Sequence, residues 1–310
     1  MRYRDVFQVR LIGFYDIYGE NPISQELKGV SSVSLSIEGT NFTGVGDLNK
    51  SIRYVGLTKL SPTITIDYAN PDSDIRPGYW AGSIQWNIPA ACYPPDGPSP
   101  HSLKITVANC VCTERRVSLN HGDLARATLT FKSVSSDGET SPISAEIDTT
   151  TSMADNDLEP SDFYRDISEP TFLPEGEASP YSLSEVYTIE WTESGTIVED
   201  SAEDDVWMTC AFVTDLQAEL SVTLREPKHS IDNTDAFMKV GTKGKFAFKT
   251  IQASSSTGLL PAAPVTLNFE APNVTVTGTS MASNHGDNSE VTISMLMHGT
   301  ETTLPYVSTV

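Results

Sequence analysis

A block of 30 residues near the middle of the chain recurs near its C-terminal end at a constant offset of 164. The first copy occupies 103–132 and the second occupies 267–296, and the two align without a gap. Eight positions are identical, and in the first copy they are Leu103, Asn109, Thr113, Asn120, His121, Gly122, Asp123 and Thr128. This ungapped match predicts two copies of one structural unit.

Weaker similarities precede each block in the same order. Residues 60–64 resemble 220–224, and residues 82–86 resemble 244–248. Together with the main block, these similarities predict a duplication that covers roughly 30–135 and 186–299. A repeat of this length constrains the fold strongly, because both halves must adopt the same architecture.

Apolar and polar residues alternate with a period of two in several short runs. Residues 32–37, 63–68, 83–88 and 126–131 each place their apolar side chains on one side. This period predicts strands with one buried face, packed as two sheets. We therefore expect an all-β chain of two tandem β-sandwich or β-barrel-like modules, with little helix. The best helical candidate is short and lies near Glu159–Ile167.

The acidic residues are concentrated between the two predicted modules. The chain has a net charge of −21, and the stretch from Asp137 to Asp205 holds 20 acidic residues and a single base, Arg165. Its first part, 136–185, is also rich in Ser, Thr and Pro, which is typical of a linker. Because its charges repel one another, we expect this linker to lie against its own or a neighbouring subunit.

The expected organisation is therefore a first module at 1–135, a linker at 136–185 and a second module at 186–310. The acidic balance argues against a nucleic-acid binder, which would usually be basic. No apolar run is long enough for a membrane helix, and Met1–Asp5 has no apolar run behind it, so we expect no secretion signal.

Four cysteines are present, at Cys92, Cys110, Cys112 and Cys210. Cys110 and Cys112 lie two residues apart in a strand-like run, so their side chains should share a face. We expect all four to be reduced and partly buried. A zinc site is the alternative, although no CxxC pair supports it. We predict no metal and no cofactor.

The sequence Asn-His-Gly-Asp occurs twice, at Asn120, His121, Gly122 and Asp123 and again at Asn284, His285, Gly286 and Asp287. A His/Asp pair is one interpretation, for a metal or for acid–base chemistry. A turn is the favoured interpretation, because Gly permits a positive φ and Asn and Asp bond their own backbone. Both copies lie between strand-like runs, so we predict equivalent turns.

Gly278–Ala282 looks like the motif around the nucleophilic serine of subtilisin-like proteases, and His298 begins a His-Gly-Thr run similar to that family's histidine motif. The family's order is Asp, His, Ser, whereas His298 follows Ser280 here. The matching residues of the first copy, 114–116, contain no nucleophile. We therefore predict no enzymatic activity and no catalytic residue.

The repeated block resembles the C-terminal part of the tail tube proteins of tailed bacteriophages. The resemblance lies in the Asn-led strand Asn109–Arg116, the Gly-Asp turn and the following run Leu124–Phe131, and it covers about 30 residues per copy. It implies β-sandwich modules whose strands join side by side into a ring, with rings stacked into a tube that conducts DNA. Some members carry two fused modules per chain, and single-module members form six-membered rings.

For this chain the resemblance implies a structural protein of the virion tail, made in the host cytoplasm. Three copies would close a ring with pseudo-sixfold symmetry, and rings would stack into a tube. Further partners would be tape measure and terminator proteins of the tail. DNA would be only a repelled passenger, and Glu38, Asp67 and Glu219 are candidates for acidic residues that face the lumen.

Two other classes of function remain open at the level of sequence. The chain could be another virion component, such as a head decoration protein or a distal tail protein. It could also be a carbohydrate-binding or adhesin-like protein of two β-sandwich domains, with exposed aromatic residues contacting sugar. Trp80, Trp86, Trp191 and Trp207 lie in strand-like runs, which favours packing in the core over such a role.

Overall fold

The computed structural model describes residues 7–20, 22–45, 52–89, 102–149, 163–225, 239–252, 266–282, 290–300 and 304–309. Eight strands lie in the first half: β1 (Phe7–Phe14), β2 (Ile23–Leu27), β3 (Val30–Val45), β4 (Ile52–Tyr68), β5 (Gly82–Pro89), β6 (Ser102–Asn120), β7 (Arg126–Ser133) and β8 (Ile143–Asp148). Eight lie in the second half: β9 (Tyr164–Pro174), β10 (Tyr181–Ser182), β11 (Val186–Asp200), β12 (Cys210–Leu224), β13 (Lys243–Gln252), β14 (Thr266–Ala282), β15 (Glu290–Met297) and β16 (Ser308–Thr309).

The chain is all-β, as the alternating pattern predicts. All sixteen strands belong to one network of antiparallel pairing. The short helix proposed near Glu159–Ile167 is wrong, because its described part from Tyr164 onward lies in β9 and pairs with β13. The described residues contain no helix that is long and apolar enough to cross a membrane.

Strand β6 organises the first half because it belongs to two sheets at once. Its first residues pair with β5 and β8, and β5 continues to β1 and β2. Its later residues pair with β7, which continues to β4 and β3. Each sheet turns an apolar side toward the other, and the core lies between them, as in a β-sandwich.

The second half repeats this pairing strand for strand, with β14 in the role of β6. Strand β14 pairs with β13, β15 and β16, β13 continues to β9 and β10, and β15 continues to β12 and β11. The registers also agree at the offset of 164. Cys110 faces Ser133 and Val274 faces Met297, and a bulge follows two residues later in both strands.

One weaker sequence similarity was aligned in the wrong register. Ile64 pairs with Phe131, and Leu220 pairs with Met295, which is the equivalent of Phe131. Ile64 is therefore the counterpart of Leu220, whereas the sequence comparison placed Leu60 there. A slip by four residues keeps every side chain on its face, so alternation alone does not detect it. The similarity of 82–86 to 244–248 has the register found in the structure.

The segment 136–185, expected to be a linker, contains three strands. β8 pairs with β6 of the first half, and β9 and β10 belong to the sheet of the second half. Strand pairing thus assigns 143–148 to the first module and 164–182 to the second, which revises the predicted boundaries. The described strands of the acidic segment do lie against their own chain, through these strand pairs.

The core follows the alternation. Ile64, Ile66, Leu129 and Phe131 are fully buried, while Asp67 on the opposite face is half-buried. In the second half, Trp191 packs against the stacked pair of Phe248 and Phe269, with ring centroids 5.6 and 5.4 Å away.

Two tryptophans depart from the expected core role. Trp86 and Trp191 are buried, but Trp80 is 45% exposed and Trp207 is half-buried. The ring nitrogen of Trp80 donates to the Asp16 carbonyl oxygen at 3.0 Å, so this ring lies on a surface loop.

Candidate functional site

The two halves join edge to edge through β6 and β11. Residues Glu114–Asn120 of β6 pair antiparallel with Thr188–Ser194 of β11. One sheet therefore runs through eight strands in the order β3, β4, β7, β6, β11, β12, β15 and β14. We call its side away from the core the polar face.

The three acidic residues singled out from the sequence all lie on the polar face. Asp67 pairs with Thr128, and Thr128 pairs with Arg116. Arg116 in turn pairs with Thr192, which pairs with Glu219. Asp67 and Glu219 thus lie at the two ends of one row that crosses the five strands β4, β7, β6, β11 and β12. Glu38 lies on the same side of β3, because Ser36, Ser34 and Ser32 precede it at intervals of two and Ser32 pairs with Asp67.

Serine and threonine hydroxyls dominate the polar face and bind several of its carboxylates. Asp67 accepts hydrogen bonds from Ser32 at 2.7 Å and from Thr128 at 2.8 Å. Glu190 accepts one from Ser118 at 3.0 Å and lies 3.8 Å from the Arg116 guanidinium. These bonds hold the carboxylates in fixed positions on a mixed, hydroxyl-rich surface.

The polar face is concave where it crosses the second half. Side chains from β11, β12, β14 and β15 line a depression of about 430 Å³. Its polar lining includes Glu190, Thr192, Glu219, Ser221 and Ser294. Side chains of all four strands therefore border one shared recess on this face.

The opposite side of the seam between β6 and β11 contains a buried ion pair. Nη1 of Arg115 lies 3.3 and 3.2 Å from the two carboxylate oxygens of Glu193, and both residues are fully buried. Arg115 also donates from Nη2 to the Pro71 carbonyl oxygen at 2.6 Å. Since Arg115 comes from the first half and Glu193 from the second, the pair ties the two modules together.

Glu193 has two further partners. The Val307 amide donates to its Oε1 at 2.8 Å, and Nε of Arg76 lies 3.9 Å from its Oε2. The Arg115 guanidinium also stands 5.7 Å from the centre of the Trp191 ring. One buried carboxylate thus connects the first module, the second module and the C-terminal segment.

The environment shifts the pKa values of both arginines in opposite directions. Burial lowers the pKa of Arg76, and the neighbouring charge of Arg115 lowers it further. Burial acts in the same direction on Arg115 and is the largest single effect, but the charges and hydrogen bonds of Glu193 and Tyr68 together outweigh it and raise the pKa of Arg115. Arg115 is therefore the principal charge partner of Glu193.

Sequence reasoning did not find this pair, although a signal exists. In β11, Glu193 follows Ile189 and Trp191 at intervals of two, in the apolar register. In β6, Arg115 precedes Val117 and Leu119 in the same way. A single charge on an otherwise apolar face, of opposite sign in the two strands, is the pattern that points to a buried pair.

The first Asn-His-Gly-Asp segment forms a turn between β6 and β7, and Gly122 has φ of 86°. The turn also contacts the second half, because the Gly122 amide donates to Asp166 at 2.7 Å and the His121 amide donates to the Tyr187 carbonyl at 2.8 Å. The second copy, Asn284–Asp287, lies outside the described residues.

Ser280 and His298 do not form a catalytic pair. Ser280 lies within β14 and pairs with Thr292 of β15. The His298 ring bonds the Thr275 hydroxyl at 2.7 Å, five residues away from Ser280 along the strand, which corresponds to roughly 16 Å. The two residues are therefore too far apart for proton transfer.

Cys110 and Cys112 are both buried free thiols, whereas Cys210 is free and exposed, contrary to expectation. Burial raises the pKa of the Cys110 thiol to about 12 and also raises that of Cys112. Cys92 lies outside the described residues. Within the described ranges, no three His, Cys, Asp or Glu side chains are grouped as metal ligands would be.

Comparison of the chain with protein-family models and with curated proteins found no match. The functional argument therefore rests on the geometry of the polar face and of the seam.

Proposed function

We propose that this chain is a structural protein that assembles into the tail tube of a tailed bacteriophage. Three copies close into a ring with pseudo-sixfold symmetry, and stacked rings enclose a channel for DNA. The observation that carries the proposal is the seam between β6 and β11, where two modules of the same topology already join edge to edge into one sheet.

The continuing sheet supports a ring because its two ends remain open. Among the described residues, β3 pairs only with β4, and Gly278–Ala282 of β14 pair only with β15. Exposed strand edges readily pair with other chains unless something covers them. Repetition of one head-to-tail contact gives either a closed ring or an open filament.

The polar-face sheet has the right size for a DNA channel. It contributes eight strands per chain, so three chains would supply about 24 strands to a closed barrel. With strands about 4.8 Å apart and tilted by about 40°, such a barrel would be roughly 48 Å across between backbones. That width accommodates a DNA duplex after side chains are added.

The chemistry of the polar face suits a channel through which DNA passes without binding. Glu38, Asp67 and Glu219 lie on it, and hydroxyl groups cover much of the rest. Carboxylates repel phosphates, while Ser and Thr provide a wetted wall without strong attachment. A recess lined by polar side chains of β11, β12, β14 and β15 lies on the same face.

Native mass spectrometry over a series of protein concentrations tests the proposal. We expect monomers at low concentration and assemblies built in multiples of three chains as the concentration rises. A two-domain adhesin would remain monomeric throughout, and that result would rule out the tail tube assignment.

A further inference from the structure

The seam inside the chain defines a contact geometry at the level of single residues. Trp191 faces Val117, and Thr192 faces Arg116 on the polar side. Trp191 and Val117 are 1% and 0% exposed, since each strand covers the edge of the other.

The equivalent positions of the other two edges are more exposed. The registers make Leu35 and Ile37 of β3 the counterparts of Trp191 and Glu193 in β11, because Leu35 faces Ile64 as Trp191 faces Leu220. Met281 of β14 is the counterpart of Val117. Ile37 is 48% exposed and Met281 is 59% exposed, although the corresponding residues of the internal seam are buried.

We infer that β14 of one copy of this chain pairs antiparallel with β3 of a second copy, in the register that β6 makes with β11. This inference rests on the proposed self-assembly and specifies which edges meet. In this register Met281 faces Leu35, Thr279 faces Ile37, and Ser280 faces Ser36. The contact covers the exposed Met281 and Ile37 and extends the sheet by pairing the backbones of two edge strands.

The buried ion pair distinguishes the seam within one chain, between β6 and β11, from the inferred contact between chains, between β14 and β3. Arg115 and Glu193 face each other inside the chain, whereas the equivalent positions between chains hold Thr279 and Ile37. Pairing β6 with β3 of another copy would place the Arg115 charge against Ile37. Pairing β14 with β11 would place Glu193 against Thr279. Each error leaves a buried charge unpaired, which is strongly unfavourable, so first and second modules must alternate around the ring.

A second contact of the internal seam involves the hairpin of β11 and β12. The hairpin of β11 and β12 extends over the first module, where the Leu60 amide donates to the Val206 carbonyl and the Met208 amide donates to the Leu60 carbonyl, at 2.8 and 2.9 Å. The equivalent hairpin of β3 and β4 is equally long in its pairing, from Val30↔Tyr68 to Val45↔Ile52. In the inferred contact this hairpin would extend over β12 of the adjacent copy.

Disulfide trapping tests the register. In a Cys92→Ser, Cys210→Ser background, Ser36→Cys combined with Ser280→Cys places two thiols opposite each other between chains, within the distance that a disulfide spans. We expect a ladder of covalent dimers and trimers on mild oxidation of the assembled protein. Thr192→Cys with Arg116→Cys is the positive control, because these residues face each other within one chain and should form an internal disulfide.

The matched negative control is Ser32→Cys with Ser280→Cys. Ser32 is exposed on the same face of β3 as Ser36, but lies four residues out of register, roughly 13 Å away. Equal cross-linking by this pair, or cross-linking by Ser36→Cys alone, would overturn the inferred contact. If native mass spectrometry shows assemblies but the Ser36→Cys/Ser280→Cys variant does not cross-link, the inferred register alone is wrong. If the protein stays monomeric, the proposed function is wrong as well.

Discussion

Replacement of Glu193 by Leu is the sharpest test of how the two modules are held together. Glu193 is fully buried and binds Arg115 through both carboxylate oxygens, the Val307 amide, and Arg76 at 3.9 Å. Its removal leaves two buried guanidinium groups facing each other without a counter-charge. Breaking a buried pair from one side costs about 3–5 kcal/mol, so we expect a loss of that size in the free energy of unfolding.

The structure also predicts an asymmetry between the two partners. Arg115→Met leaves Glu193 with the Val307 amide and Arg76, so its cost should be smaller than that of Glu193→Leu. The double variant Arg115→Met/Glu193→Leu removes both charges and replaces them with apolar groups of similar volume. Such exchanges are often neutral or stabilising, so the double variant should be more stable than Glu193→Leu.

Denaturant unfolding of the four proteins, followed by tryptophan fluorescence, measures these differences. Trp191 lies beside Arg115 and reports on the seam directly. Equal destabilisation by the two single variants, or additive effects in the double variant, would show that the pair does not couple the modules and would refute this reasoning.

Three further predictions concern the edges, the turn and the thiols. Ile37→Glu should abolish assembly without unfolding the monomer. Adding Thr279→Arg should restore assembly in part, because the two new charges would pair between chains as Arg115 and Glu193 pair within one chain. Native mass spectrometry measures both effects, and absence of any rescue would contradict the register. Gly122→Ala should lower the free energy of unfolding by about 1 kcal/mol, because φ is 86° there and the new Cβ, with no atom within 4 Å, adds backbone strain without a clash. Gly278→Ala is the control, because Gly278 has no positive φ and its replacement should lower the stability less in thermal unfolding. The free energy of unfolding should fall as the pH rises from 9 toward 12, because the pKa of the Cys110 thiol is about 9 in the unfolded chain and about 12 in the folded one. In denaturant titrations at a series of pH values, Cys110→Ala should make this fall with pH less steep.

The fold class was predictable because alternation is local. The apolar residues of 63–68 and 126–131 have the burial that their period of two indicates. The main repeat was equally informative, since its offset of 164 gives the pairing registers of β6 and β14. Ile37 is the exception to the alternation, because β3 is an edge strand and its inward side remains uncovered.

The linker boundaries and the seam were harder to predict for physical reasons. Residues 164–174 mix apolar side chains such as Phe172 with Arg165, Asp166 and Glu169 and lack a clear alternation, and they form a strand by pairing with the edge of β13. The contact between Arg115 and Glu193 joins residues 78 apart. Each lone charge on an apolar face signals a buried ion, but only the pairing of β6 with β11 brings the two together. The placement of Glu38, Asp67 and Glu219 on one face follows from alternation, but their position in one continuous sheet depends on the pairing of β6 with β11.

Electron cryomicroscopy of the concentrated protein tests the central claim most directly. We predict a ring of three chains with six similar lobes, in which β14 meets β3 of the next chain and the polar face surrounds the channel. Glu38, Asp67 and Glu219 would then line the lumen. A stable monomer at every concentration, a ring of six full chains, or a ring with these three residues on its outer wall would contradict the account.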